Sequence, residues 1–510
     1  MDVDISATPT QSFFGRTRLT LWVTLAVLYV VGLGVRLADL TDPPLDFHPT
    51  RQLRSAIIAR EMYLEMLPAT DPALLQKASE TVAPLEILEP PAFERLVAAT
   101  YFVTGGERLW VARLYAILFW GLGGVPLFAL ARRMTGTDGA VLALAYYLFL
   151  PFALTASRSF QPDPLVTMLL AWSLWALYRW GEEGTWKWAA AAGLVSGLAI
   201  YAKVTAGFFI LPAAFVIALT STGWRAAIRN RQVWVILLFL IVIPSSYYIF
   251  SIGSRAAGYA SFWNVSFLQQ VLQPRFYVFW ASFLGYLMSF SLVIAGLIGV
   301  ALFRKNSQRL LVLALWIGYF LYGLAFPYQI NTHEYYSLMF VPVLALSLSP
   351  IGNWIGSKAA GLPGHWQAYF LGVLLFALAY PAWISYTGLI GKDYRGEVVG
   401  WRLMGEALPP EGDIIGLTHD YGTRIGYYGW RAVALWPTQA DFDVAALRSG
   451  EGSPEFERLF EQKTAGKEFF LVTLMGEFEA QPALKAMLTE QYPVYAQGAG
   501  YIVFDLRQRR

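Results

Sequence analysis

Hydrophobic stretches free of Asp, Glu, Lys and Arg follow one another along this chain, separated by short charged intervals. They cover 21–34, 114–131, 140–157, 164–178, 188–202, 204–224, 232–254, 276–303, 310–333, 335–357 and 359–391. A helix needs about 20 mostly apolar residues to cross a bilayer, and long charged side chains at its ends can snorkel outward. The pattern therefore predicts a polytopic α-helical membrane protein of about 11 spans. The first run is followed by Val35-Arg36-Leu37 and carries no small-residue cleavage site, so it reads as a retained helix.

Two segments break the pattern. In 40–110, rich in charge and proline, Phe93, Leu96, Val97, Thr100, Tyr101 and Thr104 recur with helical spacing. The stretch 52–66 places Ile58, Met62 and Met66 on one side. Both are expected to be interfacial helices. In 392–510 the apolar runs shorten. Ile414–Leu417, Ala432–Leu435, Phe469–Val472 and Tyr501–Phe504 read as buried strands, with helical patterns at roughly 397–408, 441–448, 454–462 and 477–489. Alternation of strands and helices predicts a small C-terminal α/β soluble domain. The expected organisation is a cytoplasmic N-terminus (1–20), a transmembrane domain (21–391) that includes the outer loop 40–110, and an outer α/β domain (392–510).

Orientation follows from the short loops. Arg16 and Arg18, Arg132 and Arg133, Arg225 with Arg229 and Arg231, Arg304 with Lys305 and Arg309, and Lys358 fall in alternate loops. The positive-inside rule puts them in the cytoplasm, leaving 40–110 and 392–510 outside. The acidic 180–187 loop is the poor fit. Composition agrees: 56% of the 510 residues are hydrophobic and 14% charged, too few charges to clothe a soluble protein of this size. A net charge of +3 gives no reason to expect a nucleic-acid partner. With no cysteine, disulfides, thiolate metal sites and a Cys nucleophile are excluded. The sequon Asn264-Val265-Ser266 carries no functional weight.

Polar residues gather where odd-numbered spans reach the outer face. They are Asp46, His48, Arg51 and Gln52 after the first span, Arg158 and Asp163 after the third, and Lys203 after the fifth. Arg275 follows the seventh, and His333, Glu334 and Tyr336 the ninth. Ionisable groups at membrane depth are costly and point to function. A carboxylate can act as general base on a hydroxyl, and cations can hold a phosphate-bearing leaving group. Bland alternatives stay open: snorkelling for Lys203, an N-cap for Asp163, a solvated loop for Asp46 and His48, and an aromatic belt for Tyr336.

The order of these residues resembles the C-type (GT-C) glycosyltransferases of the protein O-mannosyltransferase and lipid A aminoarabinose transferase superfamily. The resemblance covers about 20–350. It rests on the Asp-bearing first outer loop, Glu89-Pro90-Pro91, Ala112-Arg113-Leu114, Ala131-Arg132-Arg133, Ser157-Arg158 with Pro162-Asp163, Gly197 with Lys203, and His333-Glu334-Tyr335-Tyr336. It implies a polyprenyl-phosphate sugar donor, an active site on the outer side of a bacterial plasma (inner) membrane, and inversion at the anomeric carbon. The family's catalytic Asp maps onto Asp46, with Asp42 as the second candidate. Members commonly carry Asp-Glu there; this chain has Asp46-Phe47-His48-Pro49-Thr50-Arg51-Gln52, which leaves a divalent cation open. His48 and Asp163 are implied to assist. Lys203, Arg158, Arg51, Gln52, Arg275, His333, Glu334 and Tyr336 are implied to bind substrate.

The expected function is an integral-membrane glycosyltransferase acting on a lipid-linked sugar donor and an acceptor glycan, lipid or protein, among membrane lipids. The alternatives are a transporter or flippase for lipid-linked sugars, or a catalytically silent structural subunit on the same scaffold. Matched repeat halves, the usual mark of a transporter, are not visible in the sequence.

Overall fold

The computed structural model describes residues 12–449 and 455–510. Residues 1–11 of the expected cytoplasmic N-terminus lie outside the described residues. The chain divides into two compact units.

The first unit holds the chain up to Leu40, Leu88–Pro90 and Arg113–Gly391, and it is helical. Each of the 11 apolar runs forms helix. Among the described residues seven helices are long and apolar enough to cross a membrane. An eighth follows if Pro274–Met288 and Phe290–Leu302, bent by 96°, count as one span. The other runs fall short for local reasons. The run 140–157 is split into Thr137–Phe149 and Pro151–Ala156, because Pro151 holds Leu150 extended. The helix Asp163–Glu183 carries charge at both ends, and Trp186–Ala202 has only 17 residues. Ser289 bends 276–303 with a left-handed φ of 66°.

Helices in this unit approach closely where glycine allows it. A Cβ on Gly197 would lie 2.5 Å from the carbonyl oxygen of Phe239, so Trp186–Ala202 and Arg231–Tyr248 pack backbone to backbone there with no intervening methyl. The acidic 180–187 loop is compensated locally: Glu182 pairs with Arg133 and Glu183 with Arg179.

The second unit comprises Thr41–Ile87, Pro91–Ala112 and Lys392–Arg510. The loop expected to lie outside thus groups with the C-terminal segment. The loop forms helices Pro49–Met66 and Ala92–Thr104 near the expected positions, and a third, Pro72–Val82. Asp71 caps that third helix through the Ala73 amide at 3.0 Å, and Pro72 fills its first position. Asp71-Pro72 was the available signal. The C-terminal segment carries strands β1 (Ile414–Leu417), β2 (Ala434–Leu435), β3 (Phe469–Val472), β4 (Val494–Gly498) and β5 (Tyr501–Asp505) in the order β2-β1-β3-β5-β4. β1 runs parallel to β2 and β3, whereas β5 is antiparallel to both β3 and β4. Ile415, Leu417, Phe470, Val472 and Phe504 pack with Trp436, Phe460 and Phe478 into one core. β4 has no apolar run to announce it: it is an edge strand, mostly exposed.

Arg60 ties the loop helices to the C-terminal segment inside this unit. Its Nε donates to both Glu107 carboxylate oxygens at 3.0 and 2.9 Å and its Nη1 to the Tyr427 carbonyl at 2.7 Å. Its guanidinium lies 3.8 and 4.1 Å from the Tyr427 and Trp430 ring centres. A buried ion is tolerated only when paired. Glu107→Ala is therefore expected to cost about 3–5 kcal/mol, read as a lowered unfolding temperature of the full chain.

His419 follows β1. Its backbone amide and Nδ1 both meet Thr473 Oγ1 at 3.0 Å. Burial, and then the nearby Arg424 charge, push its pKa below the usual histidine value. Below about pH 6.5 the unfolded chain takes up a proton that the folded imidazole resists. The unfolded state then binds more protons, so stability falls on acidification. Unfolding temperature should drop between pH 7.5 and pH 5, and His419→Gln should flatten that dependence; an unchanged slope would exclude His419 as its source.

Candidate functional site

Each unit assembles one polar constellation. In the membrane unit it centres on Lys203. The helix Trp186–Ala202 ends there, Lys203 is extended (φ −157°), and a short 3-10 turn over Val204–Ala206 leads into the next helix. The side chain is 4% exposed and its Nζ lies 2.7 Å from Asp163 Oδ1, at a position 1% exposed, and 3.7 Å from Glu89 Oε1. The Tyr335 and Tyr336 ring centres lie 5.3 and 5.1 Å from the same Nζ, within cation–π range. Snorkelling is thereby excluded for Lys203: its ammonium is enclosed by carboxylates and rings.

Asp163 opens the helix Asp163–Glu183, where the helix dipole favours a negative charge. Its Oδ2 is buried with no hydrogen-bond partner, as are both amide atoms of Gln161 and Gln329. Buried polar groups left unpaired are rare and costly. Tyr336 stacks on Tyr322 at 5.8 Å. His333 Nδ1 meets Thr332 Oγ1 at 2.7 Å, and its ring sits 5.5 and 6.0 Å from Tyr335 and Tyr336. Glu334, half-buried, opens the turn Glu334–Ser337. Tyr247 donates to the Glu89 carbonyl at 3.1 Å.

Arg158 lies in the same unit. It is 2% exposed, and its Nη1 and Nη2 donate to the carbonyls of Ala38 and Asp39 at 2.6 and 3.1 Å. That geometry makes it an anchor of the chain after the first helix. Arg275 is exposed, and its Nε donates to Gln273 at 2.6 Å.

The second constellation lies in the other unit. Asp46 is half-buried, and its Oδ1 accepts from the Phe47 amide at 3.0 Å and Gln52 Nε2 at 3.1 Å. Gln52, fully buried, also donates to the Phe47 carbonyl at 2.7 Å. It thus fixes the turn that presents Asp46. His48 precedes the helix Pro49–Met66 in a left-handed conformation, φ 45°, a strained state for a non-glycine residue. Its carbonyl accepts from the Arg51 and Gln52 amides. Arg51 lies on the first helical turn and is half-buried. Tyr394 lies near Asp46: burial and then the Asp46 charge raise the tyrosine's pKa. Asp42 is 6% exposed, accepts from the Tyr394 amide at 2.9 Å and pairs with Arg395 at 3.5 Å. It is committed to holding the loop.

Glu89 and Tyr335 are the site residues that sequence reasoning passed over as ligands. Both sat in quoted motifs, Glu-Pro-Pro and His-Glu-Tyr-Tyr, but only the fold brings them to Lys203. Among the described residues no three His, Asp or Glu side chains converge on one point.

Residues 89–249 match the family model of dolichyl-phosphate-mannose-protein mannosyltransferases. The match spans Glu89, Asp163 and Lys203. The fold is shared with ArnT from Cupriavidus metallidurans, solved bound to undecaprenyl phosphate. The TM-score is 0.59 at 17% identity, over 95% of this chain and 97% of that one. The chain has the fold of the GT-C glycosyltransferases. The Archaeoglobus fulgidus oligosaccharyltransferase AglB, solved with an inhibitory peptide and a dolichol-phosphate, is also similar in fold. It has a TM-score of 0.58 at 14% identity, over 94% of this chain and 73% of that one. No curated protein matches in sequence. The GT-C fold is thus present in a chain whose first outer loop reads Asp-Phe-His instead of Asp-Glu.

Removing one member of the buried pair should be worse than removing both. Lys203→Met is expected to destabilise by about 3–5 kcal/mol. Lys203→Met with Asp163→Leu should recover most of that loss in a thermal unfolding assay; equal losses would mean the two charges are not coupled.

Proposed function

We propose that this protein moves a sugar from a polyprenyl-phosphate donor to an acceptor hydroxyl on the outer face of a bacterial inner membrane, with inversion. The observation that carries the reading is the enclosed Lys203 ammonium, positioned by Asp163, Glu89 and two tyrosines within the segment that matches mannosyltransferases. Undecaprenyl phosphate in the ArnT structure and dolichol-phosphate in the AglB complex support a lipid phosphate as its partner.

The membrane unit supplies the leaving-group site. An ammonium has three N–H donors. One is directed to Asp163 at 2.7 Å, and a phosphate oxygen takes another. As the bond between the anomeric carbon and the phosphate oxygen breaks, negative charge grows on that oxygen, and a preorganised cation in a dry site stabilises it.

The candidate base is Asp46, which takes the proton of the acceptor hydroxyl as that oxygen attacks the anomeric carbon and the phosphate leaves. Gln52 keeps the carboxylate aimed. His48 assists from the adjoining turn, and Arg51, His333, Glu334 and Tyr336 position substrate. The acceptor is a glycan, lipid or protein hydroxyl.

Asp46→Asn should lower kcat by about 10²–10⁴ while polyprenyl phosphate still co-purifies in native mass spectrometry. Lys203→Ala should lose the co-purifying carrier. Full donor turnover by Asp46→Asn would remove it as the base, and an undiminished carrier in Lys203→Ala would remove Lys203 as the phosphate ligand.

A further inference from the structure

The membrane unit contains an apolar cavity of about 460 Å³ at the end opposite Lys203. The helix Gly207–Thr222, about 24 Å long, separates the two. Lys203 stands before its first turn, and Phe215, Ala218 and Leu219 of its second half line the cavity. Trp224, Ala227 and Ile228 of the short helix Trp224–Arg229 form another wall. No charged side chain lines the cavity. Its walls are fixed by indole N–H bonds: Trp234 Nε1 donates to the Ile228 carbonyl at 2.7 Å and Trp180 Nε1 to Gln232 Oε1 at 2.8 Å. Phe215, Trp224 and Ile228 are more than half exposed, so the cavity opens outward.

The same short helix carries the opposite chemistry on its other side. Arg225 and Arg229, one turn apart, line an open hollow with Thr222, Ala226 and Asn230. Arg231 follows, and all three arginines are exposed. No Asp or Glu occurs between Glu183 and Glu334. Gln232 Nε2 donates to the Gly184 carbonyl at 2.8 Å, which brings the 180–187 loop alongside. The carboxylates of that loop are taken: Glu182 pairs with Arg133 and Glu183 with Arg179. Among the described residues no carboxylate pairs with Arg225, Arg229 or Arg231. A topology signal needs only positive charge somewhere in the loop. It needs neither a formed cavity nor two arginines on one side of a helix whose other side lines that cavity.

We propose that this end of the membrane unit binds one phospholipid of net negative charge, an acyl chain in the apolar cavity and the phosphate on Arg225 and Arg229. Guanidiniums hold phosphate oxygens bidentately, and basic pockets beside membrane helices suit anionic headgroups. A headgroup with its own ammonium would meet two arginines and no carboxylate to pair it. The site therefore selects phosphatidylglycerol over phosphatidylethanolamine. No residue of the Lys203 cluster takes part, and the site stands independently of the transferase reading.

The test is native mass spectrometry of the full chain, released from micelles that hold equal amounts of phosphatidylglycerol and phosphatidylethanolamine, with lipid stripped stepwise. One phosphatidylglycerol should persist after the other phospholipids have gone, favoured about fivefold or more over phosphatidylethanolamine. Arg225→Gln with Arg229→Gln, two exposed positions, should abolish that preference. Ala218→Phe, which fills the cavity and keeps both arginines, should lower the retained fraction about threefold, because the acyl chain loses its burial. Stripping of both phospholipids together, as from an annular shell, would overturn the inference. So would full preference in the arginine double variant, or unchanged retention in Ala218→Phe. If Ala218→Phe fails to fold, Phe215→Ser on the exposed wall decides in its place: retention should fall, and no change overturns the inference. A polyprenyl phosphate differs in mass from both phospholipids, so its presence or absence is scored separately and bears only on the transferase reading.

Discussion

Three arginines in the membrane unit satisfy backbone carbonyls where the first helix ends. Arg36 donates to the Gly32 and Leu148 carbonyls and to Ser157 Oγ. Arg113 reaches the Leu40 carbonyl at 3.1 Å, and Arg158 the carbonyls of Ala38 and Asp39. All three are 2% exposed or less. The last carbonyls of a helix have no partner within it, and near lipid an unpaired carbonyl is expensive. Guanidiniums, with five donors each in a rigid plane, meet that demand and pin the chain as it leaves the first span.

The same logic of compensated charge governs the Lys203 cluster. A buried lysine beside a buried aspartate is weak evidence for stability, since desolvation cancels much of the attraction. Its retention at a helix break, ringed by tyrosines, fits a role in ligand binding. The buried amides of Gln161 and Gln329, without hydrogen-bond partners, and the strained His48 show polar capacity and backbone strain held in reserve near the residues singled out for chemistry.

In the second unit the outer loop and the C-terminal segment share one structure. Arg60 on the loop helix is enclosed by Glu107, Tyr427 and Trp430, and Asp42 holds the Tyr394 amide. Segments some 300 residues apart in sequence are joined by contacts that no local pattern announces. Gln52 and the Phe47 amide both donate to Asp46 within this unit.

The sequence by itself determined the helical runs, because a bilayer demands continuous apolar length, and it determined the strands β1, β3 and β5, because four or five consecutive apolar residues must be buried. It also singled out Lys203 and Asp163, since charge in such runs is conspicuous. Only the tertiary structure decided what those charges do. Lys203 and Asp163 are 40 residues apart, yet form one ion pair with Glu89 beside it. Arg158, equally conspicuous, turned out to serve carbonyls. The edge strand β4, mostly exposed and without an apolar run, is specified by its neighbour β5 instead of by its own composition. Hydrogen-bond partners for buried groups are settled by which segments meet, and that meeting is a property of the packed chain.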